Sequence, residues 1–170
     1  GSLQGGDVVA FAAGQYDTMT FKNLNFASEV KITSLDPNNP AVFADKTTIQ
    51  SSSNLTFENL SFELHTVTST SSSAYNALLY LTKSSDINIS NNNIQGVVST
   101  TGQDPNAVTN PNAEIIGYAT GSGISLNNVQ GVTISGNDMH DLRFGVSLND
   151  TQDTLISGNH IHDIRTDGIR

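Results

Sequence analysis

The stretch Gly131-Val-Thr-Ile-Ser-Gly-Asn-Asp-Met-His-Asp-Leu-Arg143 returns in similar form as Asp153-Thr-Leu-Ile-Ser-Gly-Asn-His-Ile-His-Asp-Ile-Arg165. The two copies are offset by 22 residues, so Ile134 corresponds to Ile156 and Asn137 to Asn159. Self-similarity at a fixed period of about 20 to 50 residues is the signature of repeat proteins. The recurrence therefore indicates a repeat protein.

Weaker copies of the unit lie upstream, over residues 19–26, 55–62 and 87–94. In four units a second apolar residue stands eight positions before the residue that corresponds to Ile134. These second residues are Ile49, Leu81, Leu126 and Leu148. Apolar and polar residues alternate within each unit, and Gly, Asn, Asp or Ser interrupt the alternation, which is typical of short half-buried strands joined by turns. Each unit of about 22 residues thus predicts three strands.

Stacking of these units predicts an all-β parallel solenoid in which like residues recur every rung, with about six partial rungs roughly 4.8 Å apart. The alternative is a leucine-rich repeat, because Val132 to Met139 fits its strand pattern and the period is suitable. That fold needs further Leu at helical spacing, whereas residues 144–151 indicate a strand and a turn. The whole chain, 1–170, is expected to form one solenoid domain.

Composition and charge exclude several classes of function. Asn, Ser and Thr make up a third of the chain, which favours strands and turns over helices. The absence of Cys excludes disulfides and thiolate sites. A net charge of -9 with scattered basic residues argues against nucleic-acid binding, and no apolar stretch is long enough to span a membrane.

Two insertions interrupt the period, at residues 65–76 and 97–118. Both are predicted to fall between the third strand of one rung and the first strand of the next, so both project from the same edge of the solenoid. Insertions on one face of a solenoid often build a binding face, although they are also tolerated as plain surface loops.

With these repeats in place, the sequence from Gly5-Gly6-Asp7 to Arg170 resembles the right-handed parallel β-helix proteins of the pectate lyase type, which include polysaccharide lyases and mannuronan C5-epimerases. Asn92, Asn137 and Asn159 occupy the turn in which this family carries an internal asparagine ladder. The resemblance implies a protein that is secreted or at the cell surface. It also implies a binding groove along the first strand of each rung, walled by the loops before it.

Alternation along the first strands predicts which side chains face such a groove. One outward column contains Thr48, Tyr80, Ser125, Ser147 and Arg170, and its neighbour contains Gln50, Thr82, Asn127 and Asn149. An aromatic ring among hydroxyls and amides suits a sugar chain, although polar outer strands are also usual in a soluble solenoid.

The titratable residues gather near the C-terminal end, where His140-Asp141-Leu-Arg143 is predicted to stack with His162-Asp163-Ile-Arg165 at one rim of the groove. A uronate lyase or C5-epimerase of the family must neutralise a carboxylate and move the C5 proton. The resemblance then implies Arg165 or Arg170 for the carboxylate, His162 or Tyr80 for the proton, His140 and Arg143 as substrate contacts, and Asp141, Asp163 and Asp167 as ligands of a Ca²⁺ cofactor. The alternative is a salt-bridged His-Asp-Arg ladder with a structural role.

His160 and His162 are expected to share a face, but two His without a third ligand are weak indications of a metal site.

Two functions are therefore expected from the sequence: an enzyme acting on an acidic polysaccharide of the alginate or pectate type, or a non-catalytic carbohydrate-binding or adhesin segment. The family's N-terminal cap helix is missing before Gly5, and Arg170 falls within a strand, so we expect a fragment of a longer protein. Its uncapped strand edges would permit end-to-end self-association.

Overall fold

The computed structural model of the protein describes residues 2–68, 71, 73 and 76–170. Its strands follow one another with short corners, in the order β1 Val8–Phe11, β2 Gly14–Lys22, β3 Asn25–Ser34, β4 Ala41–Gln50, β5 Ser53–Glu58, β6 Ser61–Glu63, β7 Leu79–Ser90, β8 Asn93–Gln95, β9 Val97–Val98, β10 Ala119–Thr120, β11 Ser122–Ser135, β12 Asp138–His140, β13 Phe144–Gln152, β14 Leu155–Ser157, β15 His160–Ile161 and β16 Asp167–Ile169. No α-helix occurs in these described residues, and none of their helical turns could cross a membrane.

Parallel pairing arranges the chain as three faces, because the long strands bend at a corner and continue on the next face. The first face stacks residues 19–22, 47–50, 79–82, 124–127 and 146–149, followed by β16. The second face stacks β1, residues 31–34, β5, residues 87–90, residues 133–135 and β14. The third face stacks residues 14–17, residues 41–44, β6, β8, β12 and β15. The predicted parallel solenoid of about six rungs is confirmed, and the leucine-rich alternative is wrong.

The core is a stack of inward side chains from each face. The second face contributes Ile32, Phe57, Ile89, Ile134 and Ile156 in register. The third face contributes Tyr16, Phe43, Phe62, Ile94, Met139 and Ile161. Phe43 makes edge contacts with Phe11 and Phe62 at ring-centroid distances of 5.1 and 5.5 Å. Burial of these large side chains is the main favourable term in folding.

The asparagine ladder is confirmed at the corner between the second and third faces. The Oδ1 atom of Asn137 accepts from the backbone N–H of Asn92 at 3.0 Å, and Asn159 does the same for Asn137 at 2.9 Å. Each amide nitrogen donates to a carbonyl of an earlier strand, as Asn137 does to Ile89 at 2.9 Å. The ladder thus satisfies backbone groups that the corner would otherwise bury unpaired.

A serine ladder at the corner between the first and second faces was not predicted. Ser52 Oγ accepts from Leu24 N–H, and Ser84 Oγ accepts from Ser52 N–H, both at 3.1 Å. Leu24 therefore lies at this corner, whereas Leu60 lies at the corner of the asparagine ladder, where its N–H donates to Asn92 Oδ1.

The alignment of residues 19–26 with residues 55–62 is wrong. Phe21 pairs with Ile49 on the first face, whereas Phe57 has Ile32 as its partner on the second face. Register shifts at Asp17/Met19 and Asn25/Val30 lengthen this early rung, so an identical apolar pattern falls one face earlier.

Candidate groove on the first face

The corner between the third and first faces is where the chain leaves the rungs. Residues 64–78 connect β6 to β7, and residues 96–121 connect β8 to β11 with the short antiparallel pair of β9 and β10 at their base. Within the expected insertion 65–76, residues 69, 70, 72, 74 and 75 lie outside the described residues. Both excursions therefore start and end beside the same edge of the first face.

The outward residues of the first face are brought together in two columns. In the first column, Thr48 pairs with Tyr80, Tyr80 with Ser125, and Ser125 with Ser147. Arg170 directly follows β16 and extends this column by one rung. Gln50, Thr82, Asn127 and Asn149 form the neighbouring column. A cavity of about 290 Å³ lies over the later rungs and is lined by Ser125, Leu126, Asn127, Ser147, Leu148, Asn149 and Arg170.

A chain of side-chain hydrogen bonds runs along this groove. Asn149 Nδ2 donates to Asn127 Oδ1 at 2.7 Å, and Asn127 Nδ2 donates to the Tyr80 hydroxyl at 3.2 Å. Lys46 Nζ lies 5.0 Å from the centroid of the Tyr80 ring. The groove therefore has an aromatic ring, a phenol and a cation at one end.

Arg170 marks the other end of the groove. Its Nε donates to Ser147 Oγ at 3.0 Å, and its guanidinium lies 3.7 Å from the centroid of the Phe144 ring. Within the described part of the chain, its two Nη atoms have no hydrogen-bond partner. This orientation holds a planar guanidinium flat and leaves its outer edge available for a carboxylate.

Arg143 and Arg165 are engaged in holding the second insertion. Arg143 Nη1 and Nη2 donate to the carbonyl and side-chain oxygens of Asn112 at 2.7 and 2.6 Å. Arg165 donates to the carbonyls of Pro111 and Ala113, at 2.7 and 3.2 Å. Burial, aided by the positive charges of Arg165 and Arg170, lowers the pKa of Arg143. These contacts favour a structural role for both residues, although their partners are oxygens of the insertion and not the Asp residues of the expected salt-bridged ladder.

The predicted histidine stack forms on the third face, outside the groove columns. His140 and His162 lie with ring centroids 5.1 Å apart, and their Nδ1 atoms lie 2.8 Å from the carboxylates of Asp141 and Asp163. The hydrogen bond with Asp163 raises the pKa of His162; partial burial opposes this rise and Asp138 reinforces it. His160 shares the face of His162, as alternation predicts, with ring centroids 4.2 Å apart.

The expected calcium ligands do not fit a calcium site. Asp141 and Asp163 each face their own imidazole, and Asp167 lies in β16 opposite Phe144. Within the described ranges, the candidate metal-ligand atoms that do lie close together belong to Asp138, His160 and His162. Because two of its donors are imidazole nitrogens, it is not an oxygen cage of the kind that Ca²⁺ prefers.

The two ends of the groove are well separated. Three rung steps lie between Tyr80 and Arg170, which is about 14 Å at the usual strand spacing. This distance is too long for one sugar residue to contact both Tyr80 and Arg170, two of the residues predicted to be catalytic.

Several functional candidates were missed by the sequence reasoning. Lys46 stands two residues before Thr48, and Asp138 stands one period of 22 residues before His160, so alternation and the repeat offset carried signals for both. The contacts of the Phe144 ring with the guanidinium groups of Arg143 and Arg170 had no such signal in the sequence.

Comparison with known proteins agrees with this architecture. The family described as the right handed beta helix region matches residues 9–170. The searches of curated proteins and of solved structures gave no match. Since the match spans nearly the whole chain and the strands stack in parallel on three faces, the protein belongs to the right-handed β-helix family.

Proposed function

We propose that the chain binds an acidic polysaccharide along the first face and acts on it as a lyase or C5-epimerase of uronic-acid polymers of the alginate or pectate type. The observation that carries this proposal is the groove itself, where Tyr80, Asn127 and Asn149 are linked by hydrogen bonds and Arg170 closes the row. The resemblance to proteins of the pectate lyase type supports it, and with it a location outside the cell or at its surface.

The charge distribution favours a polymer with regularly spaced carboxylates. The protein carries a net charge of -9, so an anionic ligand needs local cations. Lys46 beside Tyr80 and Arg170 on Phe144 supply cations at the two ends of the groove, about three rung steps apart. A polyuronate could engage both at once, whereas a single sugar could engage only one.

The chemistry is assigned to the Tyr80 end. In β-elimination, the phenolic oxygen of Tyr80 acts as the base that takes the C5 proton, and the C5–H electron pair forms the C4=C5 double bond. The C4–O bond breaks, and the departing sugar oxygen takes the proton from Tyr80, which returns the residue to its starting state. Lys46 would pair with the carboxylate on C5 and stabilise the negative charge that develops there. For epimerisation, the C4–O bond stays intact and a proton from water would reach C5 from the face opposite Tyr80.

His162 and Ca²⁺ have weaker support in this scheme. His162 lies on the third face with both ring nitrogens facing carboxylates, and the expected carboxylates are not gathered for Ca²⁺. The proposed reaction therefore uses neither His162 nor Ca²⁺.

Tyr80→Phe is the test of the enzymatic proposal, because it keeps the ring and removes the hydroxyl. We expect turnover of alginate or pectate, followed by unsaturated-product absorbance and by NMR of the uronate signals, to fall by at least about 100-fold while binding persists. Tyr16→Phe is the matched control, since its hydroxyl bonds to Ala12 at 3.0 Å on the third face. Parallel assays with and without Ca²⁺ test the cation expected from the family.

A second candidate is a non-catalytic carbohydrate-binding segment. It is favoured by the engagement of Arg143 and Arg165 with the insertion, which leaves few titratable groups in the groove. In that case the wild-type chain would bind oligouronates without turnover, and Arg170→Gln would weaken binding about tenfold. A wild-type chain that neither binds nor converts alginate, pectate or chondroitin would contradict both candidates for those polymers.

A further inference from the structure

Three potential metal ligands converge on the third face, away from the groove. Asp138 Oδ1 lies 3.1 Å from His160 Nδ1 and 3.1 Å from His162 Nε2. The three donor atoms all lie within 4.8 Å of one another. The repeat produces this grouping, because Asp138 in β12 pairs directly with His160 in β15.

The two distances from Asp138 suit a metal ion of the zinc type. A metal about 2.1 Å from each ligand separates neighbouring ligand atoms by about 3.0 Å at a right angle and about 3.4 Å at the tetrahedral angle. Both Asp138-to-imidazole distances fall in that range. The His160 side chain is 74% exposed, so it can adjust its ring without moving the core.

Asp163 supplies the support that metal-bound imidazoles usually have. Its carboxylate lies 2.8 Å from His162 Nδ1, the nitrogen that does not face Asp138. A carboxylate that accepts the Nδ1–H proton fixes the neutral imidazole in the tautomer whose Nε2 lone pair is free to bind a metal. Without a cation or a further proton, that lone pair would point at the negative Asp138 oxygen.

The preceding rung provides an internal comparison. There, His140 has the same relation to Asp141 at 2.8 Å, but its Nε2 faces the amide oxygen of Asn93 at 3.1 Å. The position of His160 is occupied in that rung by Asp138 itself. The second imidazole and the carboxylate therefore meet only at the later rung.

We propose that Asp138, His160 and His162 form a surface site for a divalent transition-metal ion of the zinc class, with Asp163 as a positioning residue. Two imidazoles and one carboxylate are donors that Zn²⁺ accepts readily, and the remaining positions would be filled by water or by an exogenous ligand. The site does not depend on the function proposed for the groove.

Isothermal titration of the metal-free chain with Zn²⁺ tests the proposal, and the visible spectrum of added Co²⁺ reports the ligand geometry. We expect one ion per chain in the wild type. His160→Ala, His162→Ala and Asp138→Asn should each weaken zinc binding by at least about 100-fold, and Asp163→Asn by about 10- to 100-fold. Circular dichroism would verify that each variant remains folded.

His65→Ala is the control, because His65 faces Glu63 at 3.1 Å in another part of the chain. Its affinity for Zn²⁺ should equal that of the wild type. The proposal is overturned if the wild type binds no Zn²⁺, or if the His160→Ala and His162→Ala chains, still folded, bind it as tightly as the wild type does.

Discussion

Residues at the corners of the rungs hold their backbone in the left-handed region. At the corner between the second and third faces these are Asn59, Asn91, Gly136 and Gly158, and between the first and second faces they include Ser51, Lys83, Asn128 and Asp150. Asn and Asp tolerate this conformation better than other residues that carry a side chain. The high Asn content is therefore partly a consequence of corner geometry.

Asp45, with φ of 64°, lies at the corner between the third and first faces and connects this corner to the insertion over residues 65–76. Its Oδ1 accepts from the backbone N–H groups of His65 and Thr66 at 2.8 and 2.7 Å. Burial alone would raise the pKa of Asp45, but the hydrogen bonds from Thr66 and His65 outweigh burial and lower it. The folded state therefore favours the ionised carboxylate.

Asp45→Asn should lower the free energy of unfolding at pH 7 by about 1 kcal/mol, a value reduced for the solvent exposure of the carboxylate. A carboxylate with a lowered pKa stabilises the fold above its unfolded pKa, and this contribution is lost as the pH falls through the folded pKa. The difference between the two proteins in urea unfolding should accordingly shrink between pH 5 and pH 3, on the order of the usual Asp range. A loss of stability that stays the same at every pH would contradict the role assigned to Asp45.

The insertion over residues 97–118 is an element with its own internal order. The side-chain oxygen of Gln103 accepts from the backbone N–H groups of Thr109 and Asn110 at 2.8 and 3.1 Å, and residue 103 also bridges to Ile115. Arg143 and Arg165 then fix the outer part of the loop to later rungs. The insertion is therefore held both at its base and in its outer part.

Arg143→Lys should loosen this element while leaving the rungs intact, because lysine cannot reproduce the paired bonds to Asn112. We expect amide exchange over residues 99–118 to speed up by about tenfold, as measured by deuterium exchange and mass spectrometry. Exchange in β7 and β11 should be unchanged. Lys22→Ala, an exposed cation on the first face, is the control. If the effects of Asn112→Ala and Arg143→Lys on amide exchange were fully additive in the double variant, the two residues would not act as a pair.

On the scale of the whole molecule, the two ladders and the stacked core link each rung to its neighbours. Asn92 and Asn137 are almost fully buried, at 2% and 1% exposure, so the amides in the middle of the ladder have no access to water. Repeat proteins are stabilised mainly by such nearest-neighbour contacts. A defect in the middle of the ladder therefore weakens two interfaces between rungs, and one at its end weakens fewer contacts.

Asn137→Ala should lower the free energy of unfolding by about 3 to 4 kcal/mol, because it removes the acceptor for Asn92 N–H and the donor to the Ile89 carbonyl. Asn159→Ala should cost only about 1 to 2 kcal/mol, since its side chain is half-buried and it lies at the end of the ladder. Urea unfolding followed by far-ultraviolet circular dichroism gives both values. Asn88→Ala, which removes an outward amide bonded to Thr56, should change stability little. Equal losses at Asn137, Asn159 and Asn88 would show that the ladder has no special role.

The fold was predictable because its information is local and repeated. Alternation along the chain identifies the inward residues, and the offset of 22 residues is enough to align Asn137 with Asn159. The same reasoning failed for residues 19–26, because apolar alternation does not specify which face a strand belongs to once a bulge lengthens the rung.

The groove was only partly predictable for a related reason. Its floor follows from alternation, so Tyr80, Ser125 and Ser147 could be placed in one column. The partners of Arg143 and Arg165 depend on how a loop of irregular structure folds back, and no periodic signal encodes that path. The separation of His162 from the groove could likewise not be read from its position in the sequence.

The attachment of residues 97–118 to later rungs also imposes an order of assembly. The loop leaves the ribosome before Arg143 and Arg165 do. The carbonyl groups of residues 111–113 can therefore accept hydrogen bonds from these arginines only after both have been synthesised. During synthesis the core of the early rungs can close as soon as its strands emerge, whereas the second insertion is fixed only when the corners that carry Arg143 and Arg165 are in place. Binding by the proposed groove should thus appear only after these two corners have folded.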